Sequence, residues 1–217
     1  MLQNRSPKGI KTIYLIRHGQ TDYNKRGIIQ GAGVDTNLNE HGELQAIQFF
    51  RQYKEVPFQR IYASMLKRTH QTIAPFRELN IPVEFMPELN EINWGIMEGA
   101  VPTEETTAEF VAILKEWRNG NLDTCVQNGE TPLALFARQQ KALSRLLSDS
   151  ESPVLVCMHG RAMRSFLCLL TGHPLKDMDD FEHGNVCLYI LEQIPDTDTF
   201  RILVRNSRAH LHDKDIM

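Results

Sequence analysis

Ile13-Tyr14-Leu15-Ile16-Arg17-His18-Gly19-Gln20-Thr21 is an apolar run that ends in a cation, an imidazole and a glycine. Four apolar residues in succession read as a strand buried on both faces of a sheet. In open α/β sheets ligands sit at the carboxyl ends of such strands, where strand ends and helix starts converge. A phosphate suits that position. Arg17 can fork onto its oxygens, and Gly19 allows backbone N–H groups to approach with no side chain in the way.

A second unit repeats the design. Val154-Leu155-Val156-Cys157-Met158 is another buried-strand run, and His159-Gly160 follows it. Ala162, Met163, Phe166, Leu167 and Leu170 continue with helical spacing, and Gly172 stands where a helix C-terminus wants it. Either histidine alone could simply cap a strand end and bond to backbone. The pair, each beside a glycine and one beside Arg17, predicts two imidazoles facing one pocket.

The chain has 217 residues, 24 Lys and Arg against 27 Asp and Glu, and a formal net charge of −3. That balance gives no general attraction to nucleic acid or to anionic membranes, so a phosphate site must be built locally from a few placed cations. No segment approaches the roughly 20 apolar residues that span a bilayer. The N-terminal stretch Met1–Gly9 is polar with no apolar signal core, which predicts a cytoplasmic protein. Cys125, Cys157, Cys168 and Cys187 are scattered without Cys-x-x-Cys spacing and read as small hydrophobes. His210-Leu211-His212 reads as a polar, frayed tail.

Strand-like runs fall at 12–17, 60–63, 82–85, 153–158, 186–191 and 200–205, with helical patterns between them. Asn39 is placed to cap a helix with Leu44, Ile47 and Phe49 or Phe50 on its inner side. A second helix runs from about Leu66 to Leu79, kinked or restarted at Pro75. Phe110, Ile113, Leu114 and Trp117 make a third stripe, and Thr131-Pro132 opens a fourth helix with Phe136, Leu143 and Leu147 inward. The expected fold is α/β: a three-layer sandwich with a mixed, mainly parallel sheet of about six strands and helices on both faces. The short 192–199 connection makes the last two strands an antiparallel pair. Residues 1–217 read as one domain. The polar stretch 100–129 is either a cap-like insertion or an ordinary helix and loop covering a sheet edge.

Two more segments complete a constellation. Ile61-Tyr62-Ala63-Ser64-Met65-Leu66-Lys67-Arg68-Thr69-His70-Gln71-Thr72 is a strand, a turn and a helix start carrying Arg68. Leu89-Asn90-Glu91-Ile92-Asn93-Trp94-Gly95-Ile96-Met97-Glu98-Gly99 is an acidic, glycine-punctuated loop. With the two His-Gly units these resemble the histidine phosphatase, or phosphoglycerate-mutase-like, superfamily over residues 12 to about 191. Gln30-Gly31, Asp35, Leu38-Asn39, Gly42 and Gln45-Ala46 also resemble its loop and first helix.

The resemblance implies roles position by position. His18 would be the nucleophile, and Arg17, Asn24, Arg68, His159 and Gly160 would surround the phosphate. Glu91 would be the acid/base carboxylate, with Glu88 and Glu98 as neighbours able to replace it. Glu130, in a Gly-Glu-Thr resembling the family's Gly-Glu-Ser, is read as a supporting residue. Phosphoryl transfer needs positioning and charge stabilisation around three equatorial oxygens. Two Arg, an Asn and a His supply donors around that equator, so no metal and no cofactor are expected. The partner is a small-molecule phosphate monoester, with no nucleic acid and no membrane, and both monomer and homodimer stay open.

The implied reaction is hydrolysis of a phosphate monoester through a phosphohistidine. The alternatives are phosphoglycerate-mutase-type transfer and, in another class, a catalytically weak module that binds phosphorylated ligands. Family mutases resemble Leu-Asn-Glu-Arg in the acid loop, where the Arg holds a substrate carboxylate; Ile92 stands there in this chain. Lys115 and Arg118 are the replacement cations that 100–129 offers. His41, His70, His173 and His183 read as surface or loop residues, His183 nearest the pocket rim. Trp94 reads equally as a pocket wall or a core aromatic.

Overall fold

In the computed structural model, which describes residues 10–212, the apolar run before His18 forms strand β1, Thr12–Arg17. The Met1–Gly9 stretch lies outside the described residues. Following β1 are α1 (Asp22–Lys25), α2 (Glu40–Tyr53), β2 (Arg60–Ala63), α3 (Lys67–Ile73) and β3 (Val83–Phe85). Then come α4 (Glu104–Asn119), α5 (Pro132–Ser148), β4 (Val154–Met158), α6 (Gly160–Thr171), β5 (Leu188–Gln193) and β6 (Phe200–Ser207). The strand order is β3-β2-β4-β1-β5-β6. β3, β2, β4 and β1 run parallel, β5 is antiparallel to β1, and β6 is antiparallel to β5. This is the mixed, mainly parallel α/β sheet expected from the sequence.

Alternation along the strands makes two cores. Ile13, Leu15, Val154, Val156 and Met158 face one side, with Leu135 and Leu146 of α5 and Phe166 and Leu170 of α6. Ile16, Ile61, Leu155 and Cys157 face the other, with Phe49 of α2, Ile73 of α3 and Phe76. Period-two exposure of side chains therefore gives a layer of helices on each face.

Asn39 caps α2 as expected, its side chain accepting from Gly42 N at 2.9 Å. The inner face of α2 is the expected one at Phe49 but not at Leu44 and Ile47. Leu44 and Ile47 are exposed, whereas Gly42, Gln45, Ala46, Gln48 and Phe49 are buried. Close approach is the reason: a Cβ on Gly42 would lie 2.1 Å from the Gln20 carbonyl oxygen, and one on Gly19 2.6 Å from the Gly42 oxygen. The helix start presses on the loop after β1, so a glycine stands at the contact, and Ile47 is left lining an outer groove with Phe50 and Pro75. Pro75 does restart the chain, as a 3₁₀ turn after α3.

The 210–212 segment also departs from expectation. His210 and Leu211 are buried; the His210 ring packs against Phe49 and Tyr53, and its Nε2 bonds the Val186 carbonyl at 2.9 Å. An imidazole offers an aromatic face as well as a donor, so a polar-looking terminus can close a core. Among the described residues no helix is long and apolar enough to cross a membrane.

Candidate active site

Register brings the two histidines together. Arg17 pairs with Met158 across the parallel β1–β4 ladder, so His18 and His159 leave adjacent strands at the same edge. Their ring centroids are 5.2 Å apart. Ala63 of β2 pairs with Cys157, which puts Ser64 at that edge too, and antiparallel β5 delivers residues 183–187 there from the opposite direction. The carboxyl ends of the parallel strands thus converge on one site, as open α/β sheets require.

His18 is buried, and its Nδ1 lies 2.7 Å from the Gly19 carbonyl oxygen. A carbonyl only accepts, so Nδ1 carries the proton and Nε2 keeps a free lone pair. Burial, then the charges of Arg68 and Arg17, hold His18 well below the ordinary histidine value and therefore neutral. Gly19 does not offer its N–H to a phosphate as the sequence suggested; that N–H donates to Thr72 Oγ1 at 2.9 Å. The glycine serves the contact with Gly42 instead.

Arg68 is wholly buried in α3 and strongly held. Its Nη1 donates to the Val34 carbonyl at 2.7 Å, Nη2 to that of Gly31 at 3.2 Å, and Nε to His159 Nδ1 at 3.1 Å. Burial lowers its pKa to about 10, so it remains a cation at neutral pH. His159 bonds Ser64 Oγ at 2.7 Å through Nε2. Both nitrogens of His159 are thus engaged by protein, and burial followed by Arg68 keeps the ring neutral. Arg17 is more loosely held, with Nη1 3.2 Å from His183 Nδ1 and a buried Nε that has no partner.

Asn24 receives Thr21 N at 3.2 Å and Asn185 Nδ2 at 3.2 Å, both on Oδ1. Asn185 also donates to the His18 carbonyl at 3.0 Å. Gly160 opens α6, and Glu91 sits at that helix N-terminus. Its Oε2 accepts from Arg161 N at 3.0 Å and its Oε1 from Ala162 N at 2.7 Å, satisfying donors that helix starts leave unpaired. Glu98 points elsewhere, accepting from Trp94 N at 2.8 Å.

Sequence reasoning missed Arg138, which grips the acid loop. It donates to the Glu88 carbonyl at 2.7 Å and the Glu91 carbonyl at 2.9 Å, and pairs with Glu130 at 2.7 Å. Glu130 accepts in turn from Asn93 N at 3.2 Å. Also missed were Arg161 and Arg164, both ion-paired with Asp179. Arg161 lies over Trp94 and Trp117, whose rings stack at 5.3 Å, so Trp94 is a core aromatic. His70 is half-buried rather than on the surface, bonding the Ser64 carbonyl at 2.9 Å and stacking on Phe85. Arg118 stands mostly exposed, 4.0 Å from Asp180, and Lys115 is exposed. Among the described residues no three His, Cys, Asp or Glu side chains gather as a metal site.

The family model described as "Histidine phosphatase superfamily (branch 1)" matches residues 13–207. A "Probable phosphatase" of Schizosaccharomyces pombe is 46% identical over 89 residues, 40% of this chain and 42% of that protein, so the match spans less than half of that relative. A "Probable phosphoglycerate mutase GpmB" of Escherichia fergusonii is 32% identical over 169 residues, covering 75% of each chain. Among solved structures, the α-ribazole phosphatase from Shigella flexneri superposes with a TM-score of 0.78 at 26% identity, over 91% of this chain and 96% of that one.

Proposed function

The chain belongs to the histidine phosphatase superfamily, and from that membership and the geometry of its strand edge we propose that it hydrolyses a phosphate monoester through a phosphohistidine on His18. The observation that carries the reading is the 2.7 Å bond from His18 Nδ1 to the Gly19 carbonyl. It leaves Nε2 unprotonated and aimed by backbone, which is what an attacking imidazole needs.

In the first step the Nε2 lone pair forms the P–N bond as the P–O bond to the leaving alkoxide breaks. Glu91 supplies the proton that the alkoxide takes up. In the second step water attacks phosphorus, Glu91 accepts its proton, and the P–N electron pair returns to Nε2. Both Glu91 oxygens hold α6 backbone N–H groups, so proton transfer requires one of them to turn from α6 toward the leaving oxygen. Arg17, Arg68 and the Asn24 amide stabilise the equatorial oxygens. His159 holds Arg68 in place and adds a neutral dipole.

Mutase chemistry is the second reading, favoured by the name of the Escherichia fergusonii relative. Ile92 argues for hydrolysis: it is wholly buried in the core, where it cannot meet a carboxylate. The stretch 100–129 packs Trp117 on Trp94 beside the acid loop, which supports a cap over that loop. A panel of phosphate monoesters, with an aryl phosphate, an α-ribazole phosphate and phosphoglycerates included, tests the proposal. Inorganic phosphate should be released, and His18→Ala should abolish the release; no turnover of any member would refute it.

A further inference from the structure

Arg17 and Arg68 both stand beside His18, yet they are held very differently. Arg68 has three protein acceptors. The bond to His183 is the one side-chain hydrogen bond made by the Arg17 guanidinium among the described residues, and its buried Nε has none. A guanidinium never accepts, so His183 Nδ1 is the acceptor and its proton sits on Nε2. Room for the ring depends on the residue after the second histidine: a Cβ on Gly160 would lie 2.8 Å from His183 Cε1.

We infer that His183 is the positioning residue for Arg17, a neutral acceptor that aims the guanidinium at the phosphate without cancelling its charge. This rests on the reading that Arg17 binds the phosphate. A carboxylate at the same place would orient Arg17 equally well, but it would pair with the cation and repel the incoming dianion. The surroundings keep the imidazole uncharged. Burial, then the charges of Arg17, Arg164 and Arg161, bring its pKa to about 2. The same contact favours glycine at position 160, since a Cβ there would require the His183 ring to shift.

The test measures inorganic phosphate affinity by calorimetry and aryl phosphate kinetics in the wild type, Arg17→Ala, His183→Ala, His183→Asn, His183→Glu and Arg17→Ala/His183→Ala. Asn is the conservative variant because Oδ1 takes the place of Nδ1 without charge. His183→Ala should raise KM and the phosphate Kd together by about tenfold, the loss of one charge-assisted bond. His183→Asn should recover most of that, and His183→Glu should be worse than His183→Ala. The double variant should bind phosphate no more weakly than Arg17→Ala alone, because the two residues act as one unit. Additive losses would overturn the inference, as would unchanged phosphate affinity in His183→Ala when Arg17→Ala weakens it. Unchanged affinity in Arg17→Ala itself would remove the phosphate role of Arg17 and this inference with it.

Discussion

Nε of Arg68 donates to Nδ1 of His159 at 3.1 Å, and that contact fixes the tautomer of the second imidazole. Arginine cannot accept, so the His159 proton must lie on Nε2, where Ser64 Oγ receives it at 2.7 Å. Ser64 therefore anchors the pair that the proposed mechanism uses. Ser64→Ala would leave a buried N–H without a partner and should lower unfolding stability by about 1–3 kcal/mol. It should also reduce kcat/KM, because the Arg68–His159 pair loses its anchor. Denaturant melts and aryl phosphate kinetics on the same sample check both effects; a variant unchanged in both would contradict this network.

Three buried rings, His18, His159 and His210, and the half-buried His183 contribute to the acid response. Burial keeps His18 and His159 well below the ordinary value, His183 at about 2 and His210 at about 4. The unfolded chain takes up protons on these rings as pH falls through about 6.5, and the folded chain does not. Their contribution to stability is thus complete above that pH and is lost on acidification, by up to about 1.4 kcal/mol per pH unit for each ring. His210→Gln keeps a donor for the Val186 carbonyl and cannot titrate. Its stability should fall less steeply than that of the wild type between pH 6.5 and 4, as urea midpoints across that range would show. Equal slopes would contradict the assignment.

Activity should follow His18 in the same sense. A nucleophile already neutral at pH 6.5 predicts that the acid limb of kcat/KM lies below that pH. A limb at or above pH 7 would indicate a different titrating group.

The centre of the sheet was legible in the sequence because β4 is buried along its whole length and β2 nearly so, and unbroken apolar runs such as Val154–Met158 mark such strands plainly. The two His-Gly units were legible for the same reason, since they follow those runs. The inner face of α2 was legible only at Phe49. Apolar spacing pointed to Leu44 and Ile47, but the close approach of Gly42 to Gly19 and Gln20 turned the helix the other way. The sequence placed His183 nearest the pocket rim, but its contact with Arg17 was hidden. His183 reaches Arg17 across 166 positions, and Val186 adopts a left-handed φ of 51° that no β-branched residue advertises. Such contacts arise from strand order, which periodicity does not encode.

In the proposed reading Ile92 favours hydrolysis over mutase transfer. It is wholly buried, so Ile92→Arg would place an unpaired charge in the core and should destabilise the fold by several kcal/mol. It should not create a mutase. In the wild type, 3-phosphoglycerate primed with bisphosphoglycerate should be converted to 2-phosphoglycerate more slowly than phosphate is released from monoesters. Faster primed interconversion would put the chain on the mutase side.

In the proposed mechanism the donors around the phosphate are Arg17, Arg68 and the Asn24 amide, all supplied by the chain. Activity should therefore persist after exhaustive chelation, measured as initial rates before and after treatment. A loss restored by one particular divalent cation would contradict this account.

The phosphohistidine itself is the central claim. Rapid quenching with a ³²P-labelled monoester should leave phosphate on the protein in an acid-labile, base-stable form, as a phosphoramidate requires, and peptide mapping should place it on His18. His18→Ala should carry no label. Label that resists acid, or that maps to Ser64 or a cysteine, would contradict the mechanism.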